Sequence, residues 1–276
     1  MIKLLKIEFK KILTYKIFWV LFGLYFLFLG AGLLMAEFMI NNMVDNMNRH
    51  SPIPFPHVNI YFFPWVWQNI AFFATIRYVL IFPGIIILIL VTNEYTFKTI
   101  RQNMITGMSK AEFLASKLLL ILVISVVMTL FLTLSTLIIG LSHTSGITLQ
   151  LVLQKSSFIA GFFVTMFCFQ VVALFFGFIL RNTGLSIAIF TLYVFIAEPI
   201  LYHLLKAPFV FKNDISTYLP VNSIIRVTEY PAIPVLKQVM GLNLQDSVSI
   251  GACCIPLLYA VAMIGIVYQS LLKRDL

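Results

Sequence analysis

The chain has little charge, little cysteine and very little acid. Charged residues make up 11% of its 276 positions, too few to cover the surface of a water-soluble domain of this length. Asp and Glu together number 10 against 19 Lys and Arg, so the scarce charge is also one-sided. Cys168, Cys253 and Cys254 all lie in or beside apolar runs and read as small buried hydrophobes, not as a disulfide framework or a metal site. No Gly-x-x-x-x-Gly-Lys-Ser/Thr loop occurs, so the backbone cradle and lysine that hold nucleotide phosphates are missing. His50, His57, His143 and His203 are scattered without His/Asp/Ser or metal-ligand spacing, and no catalytic residue and no metal is expected. There is no internal repeat and no low-complexity tract.

What the chain has is apolar length. Hydrophobic residues reach 61%, with 27 Phe and a mean hydropathy of +1.01. A hydrocarbon core roughly 30 Å thick is crossed by about 20 helical residues, because a helix alone satisfies its own backbone. Stretches of that kind recur at 17–36, 72–92, 118–141, 158–180, 185–205 and 250–272. The expected fold is an all-α integral membrane protein of six transmembrane helices, one domain spanning 1–276. The first run is too long for a signal-peptide core and lacks a convincing small-residue cleavage site after it, so it reads as a retained anchor.

In a soluble protein a net charge of +9 would suggest nucleic acid; here its distribution is topological, and no nucleic acid partner is expected. Lys3, Lys6, Lys10, Lys11 and Lys16 precede the first span, accompanied by the single acid Glu8. Lys98, Arg101, Lys110 and Lys117 join the second span to the third, Arg181 lies between the fourth and fifth, and Lys273 and Arg274 end the chain. All of these fall on one side of a six-span topology. Arg49, Arg77, Lys155, Lys206, Lys212, Arg226 and Lys237 fall on the other, over longer loops. The positive-inside bias puts both termini in the cytoplasm of a cell inner (plasma) membrane.

Within residues 1–16, Ile2, Leu5, Phe9, Ile12 and Leu13 recur at helical spacing, with Lys3, Lys6 and Lys10 on another face. That pattern describes a helix lying in the membrane interface; a flexible basic stop signal is the alternative. The connection from Asn93 to Phe113 is the most informative polar stretch. Glu94 stands four residues before Lys98 in the order that favours a helical ion pair, and Phe97, Ile100 and Met104 share a face. Gly107 suits a left-handed helix end, and Ser109 with Glu112 forms a capping box for the next helix. The expected sequence is helix 94–106, glycine break, helix. An ordinary solvated loop is the alternative.

At these residues, from Asn93-Glu94-Tyr95 through Lys98-Thr99-Ile100-Arg101 to Gly107-Met108-Ser109-Lys110, Phe113 and Lys117, the chain resembles the membrane subunits of ABC-2 type exporters. Six spans, a basic interfacial N-terminal helix and a large external segment before the last span extend the similarity over the whole chain. The resemblance implies that the 94–106 helix is a coupling helix seated in a groove of an ATP-hydrolysing subunit. Glu94, Phe97, Lys98, Thr99, Arg101 and Lys110 would then contact or position that partner, while Gly107 and Ser109 fix the break. It also implies a permease dimer, homodimeric or paired with a related chain, two copies of an ABC ATP-binding subunit, and surrounding membrane lipid. ATP and Mg would belong to the partner, with no cofactor held by this chain. The expected function is ATP-driven export of a hydrophobic or amphipathic substrate; the alternative is an ABC-coupled scaffold of cell-surface machinery that moves no solute.

On the external side, Met35, Met39, Met43 and Met47 form a stripe at four-residue spacing, expected to be packing material in preference to a copper site. Pro52, Pro54, Pro56 and Pro64 follow among Phe55, Tyr61, Phe62, Phe63, Trp65 and Trp67, most simply an aromatic interfacial belt, with a sugar- or lipid-binding platform as the alternative. Residues 206–249, broken by Pro220, Pro231 and Pro234, are too apolar to float freely in water; they resemble the re-entrant external helices of the same exporter family, which implies either a lid over the exit or a structural cap. A charge at the bilayer centre costs about 3 kcal/mol. Arg77 and Glu198 fall at similar depth and are expected either to pair or share a gating network, or to snorkel separately.

Overall fold

The structure is a computed structural model that describes residues 8–9, 11–50, 57, 59–105, 107–206, 215–228 and 247–273, and among these every regular element is helical. In order they are α1 (Lys16–Asn48), α2 (Val66–Ala74), α3 (Arg77–Thr96), α4 (Thr99–Ile105), α5 (Lys110–His143), α6 (Leu149–Leu153), α7 (Ser157–Leu180), α8 (Thr183–Leu192), α9 (Glu198–Lys206), α10 (Pro220–Ile225) and α11 (Ile250–Lys273). A π-helical turn, Tyr193–Ala197, joins α8 to α9. Six helical stretches are long and apolar enough to cross a membrane, matching the six expected runs: α1, α3, α5, Leu149–Leu180, Thr183–Lys206 and α11. The chain is a multi-pass membrane protein.

α7 is the hub, packed by α2, α3, α5, α8, α10 and α11. Phe158, Phe162, Phe169 and Phe178 along it are almost wholly buried. The crossing of α3 with α7 and α8 depends on Gly84, where an added Cβ would come 2.9 Å from the Phe190 ring and 3.0 Å from that of Phe169. α1 and α11 stand at the periphery with most of their apolar side chains outward, as helices bathed in lipid do.

The bundle has a basic end, where residues 11–14, the α3–α5 connection, Arg181 and the end of α11 gather. Lys110 Nζ donates to the Leu272 carbonyl at 3.3 Å, and the Arg181 guanidinium lies 5.0 Å from the centre of the Tyr95 ring. At the far end two expectations are corrected. Met35, Met39 and Met43 are 60%, 66% and 52% exposed, because α1 turns Ala36 and Val44 toward its neighbours and the methionine stripe outward. Nor do Phe63 and Trp67 belong to a lipid-facing belt. Phe63 and Trp67 are buried, because α2 folds back into the bundle before the second span, with Trp67 Nε1 donating to the Val152 carbonyl at 2.7 Å. Of the long second external segment, residues 215–228 form short helical pieces that bury Val221, Ile224 and Val227. The expectations placed on Ile2, Lys3, Leu5, Lys6, Lys10, Pro52, Pro54, Phe55, Pro56, Lys212, Pro231, Pro234, Lys237 and Arg274 lie outside the described residues.

Candidate coupling site

Four charged side chains from three separate segments meet inside the basic end. Lys117, seven residues into α5, is 2% exposed, and its ammonium donates to Glu8 Oε2 at 2.7 Å and to Glu94 Oε1. Lys11 Nζ donates to Glu94 Oε1 at 2.9 Å and lies 3.5 Å from Glu8 Oε1. Two acids and two lysines give a neutral tetrad. It ties the N-terminal segment to the last turn of α3 and the first turns of α5. An uncompensated charge in such a place is expensive, so each member requires the others. For Lys11, burial pulls its pKa down, but the adjacent Glu94 and Glu8 carboxylates outweigh that and raise it above the ordinary lysine value.

The tetrad also corrects the helix expected over 94–106. Glu94 turns inward to Lys11 and Lys117, not along a helix to Lys98. α3 ends at Thr96, Lys98 takes a left-handed backbone with φ of 54°, and α4 begins at Thr99. The break reorients the side chains. Ile100 is buried and Met104 half-buried, while Phe97, expected on their face, is 61% exposed. Ile105 is 78% exposed, and Lys98, Arg101 and Gln102 are exposed beside it. Thr99 remains half-buried, its hydroxyl donating weakly to the Glu94 carbonyl at 3.4 Å. α4 is thus a short cap with its inner side fixed and an apolar, cationic outer side.

Past α4 the local chemistry follows its sequence signals. Gly107 has φ of 96°, its N–H donates to the Met104 carbonyl at 3.1 Å, and the Met108 N–H donates to that of Asn103 at 3.0 Å, the two bonds of a Schellman ending. Ser109 then caps α5: its Oγ accepts from the Glu112 N–H at 3.2 Å, and Glu112 Oε2 accepts from the Ser109 N–H at 2.8 Å. A rigid elbow therefore joins α4 to α5. Lys117 lies two turns farther along.

With this geometry in place, the sequence match is informative. Residues 4–197 match the family described as ABC-2 family transporter protein, a span containing all four tetrad residues and α4. The chain belongs to this family. No curated protein matches the sequence. The permease is a membrane transport component, not itself catalytic, and its family pairs with an ABC ATP-binding subunit.

Arg77 and Glu198 of the permease are near each other without forming an ion pair. Arg77 Nη1 donates to the Val194 carbonyl at 2.7 Å, while Glu198 accepts from the backbone N–H groups of Val221, at 3.1 Å, and Asn222. The cause is local. In the π-helical turn the Glu198 N–H bonds Tyr193, one residue farther back than in an α-helix, and the next residue, Pro199, has no N–H to offer Val194. Arg77 satisfies the carbonyl so released. Glu198 caps α10, whose first residue, Pro220, likewise carries no N–H.

Sequence reasoning singled out Glu94 but treated Lys11 as a topological charge, Glu8 as a lone acid beside it, and Lys117 as a topological charge that also closes the family motif. The missed signal was a lysine seven residues inside an apolar helix, together with one acid among five basic residues at the N-terminus.

Proposed function

We propose that this permease is the membrane half of an ATP-driven exporter for a hydrophobic or amphipathic substrate, with its basic end in the cytoplasm of the plasma membrane. The turn before α4 and its outer side, with Phe97, Lys98, Arg101 and Ile105, seat in the ATP-binding subunit, which holds the ATP and Mg. Two permease chains, identical or related, act with two such subunits. The observation that carries this reading is the contrast across α4: exposed apolar and cationic residues on one side, and on the other a buried tetrad binding α3, α5 and the N-terminal segment into one body. A displacement of α4 would therefore move two spans together. ATP shifts the bundle between inward- and outward-facing states only if the subunit's contacts with α4 differ between them.

The test is reconstitution of the permease with its ATP-binding subunit into liposomes, followed by ATP-dependent movement of an amphipathic dye. Flux that is lost in Arg101→Glu and in a hydrolysis-deficient partner supports export. ATP turnover that responds to the permease with no flux of any substrate supports the scaffold reading instead.

A further inference from the structure

The N-terminal segment bends at Thr14 and Tyr15 into α1, and against this elbow lies a cavity of about 180 Å³. Phe9, Ile12, Phe18 and Trp19 form one side, and Ile124 and Val127 of α5 the other. Its walls are entirely apolar. Trp19 Nε1 donates to the Leu13 carbonyl at 3.2 Å, which holds the indole across the bend. Lys16 is exposed, has no ion pair among the described residues, and stands three residues before Trp19 on the same helical face, one turn nearer the basic end. The neighbouring Lys11 is already engaged by Glu94 and Glu8.

Tryptophan and lysine at a helix end mark the level where hydrocarbon meets headgroups. An apolar slot on the hydrocarbon side of that level, with an exposed cation on the water side, matches an amphiphile with an alkyl tail and an anionic head. We propose that the slot holds one acyl chain of an anionic phospholipid whose phosphate pairs with Lys16. A chain seated there fills the angle between the N-terminal segment and α1 and braces Ile12, the immediate neighbour of tetrad residue Lys11. The inference does not depend on the transport reading.

The probe is contact quenching of Trp19 by phospholipids brominated on the acyl chain, added at low mole fraction to phosphatidylcholine vesicles containing the full-length permease. Trp19→Phe supplies the baseline from Trp65 and Trp67. Brominated phosphatidylglycerol should quench Trp19 at lower mole fraction than brominated phosphatidylcholine. Lys16→Gln should reduce that preference about five-fold, the worth of one lysine beside anionic headgroups. Val127→Phe, which fills the slot, should reduce the quenching by both lipids; Lys16→Gln, an exposed change, keeps the test valid if the filled variant does not fold. Equal quenching by the two lipids, or a preference that survives Lys16→Gln, overturns the proposal.

Discussion

Lys117 and Glu94 are 23 positions apart in sequence, and their side chains meet as a buried ion pair at the foot of two membrane spans. The pair joins the last turn of α3 to the first turns of α5. Glu8 and Lys11 extend the pairing to the N-terminal segment, so three stretches of chain that could slide independently behave as one.

Removing one member should cost more than removing an oppositely charged two. Lys117→Met leaves Glu8 and Glu94 buried with Lys11 alone, an expected loss of about 3–5 kcal/mol. Lys117→Met combined with Glu94→Gln leaves the Lys11–Glu8 pair and a neutral site, so the double variant should unfold at a higher temperature than Lys117→Met alone. Thermal unfolding in detergent measures both.

The contribution of Lys11 should depend on pH with a definite sign. Its pKa is raised in the folded protein, so its stabilisation is fully present below the unfolded value and disappears as pH rises through the folded one. The stability difference between the permease and Lys11→Met should be constant through neutral pH and shrink above about pH 10.4. Thermal midpoints measured from pH 7 to 11 would reveal a difference that instead grows.

Arg77 should matter as a donor to Val194, not as a counter-ion to Glu198. Arg77→Met leaves that carbonyl buried without a partner, at a cost of about 1–3 kcal/mol. Pro199→Ala returns an N–H to the adjacent turn and should recover part of that loss in a double-mutant cycle. Reversing both charges, Arg77→Glu with Glu198→Arg, should rescue neither single reversal.

Gly107 should resist substitution for a backbone reason. With φ of 96° and nothing within 4 Å of an added Cβ, the obstacle is conformation, not space. Gly107→Val should cost about 1–2 kcal/mol, and Gly107→Asn less. Lys98→Gly, which relieves a left-handed lysine, should stabilise the fold. Unfolding temperatures of the three variants give the order.

The six spans were legible because hydrophobic length is a local property of sequence, and so were the Gly107 ending and the Ser109 cap, each formed within a few residues. The tetrad was not. Glu94 faces one way if it pairs with Lys98 and another if it pairs with Lys117, and the choice rests on a residue 23 positions away. Likewise, the aromatics around Trp67 suit a lipid interface and a buried re-entrant helix equally well until Val152 supplies a carbonyl for the indole. For Arg77 and Glu198 the sequence left a shared network and separate snorkelling open, and the backbone groups they bond, the Val194 carbonyl and the Val221 and Asn222 N–H groups, are revealed by no side-chain pattern.

The most direct measurement is retention and stimulation of the ATP-binding subunit by Phe97→Ala/Ile105→Ala permease. Both side chains are exposed, so the unfolding temperature should stay within the effect of an ordinary surface change, about 0.5 kcal/mol. The account predicts that the purified variant, still folded, loses the subunit and its permease-dependent ATP turnover. A variant that keeps both at the level of the unaltered permease would contradict it.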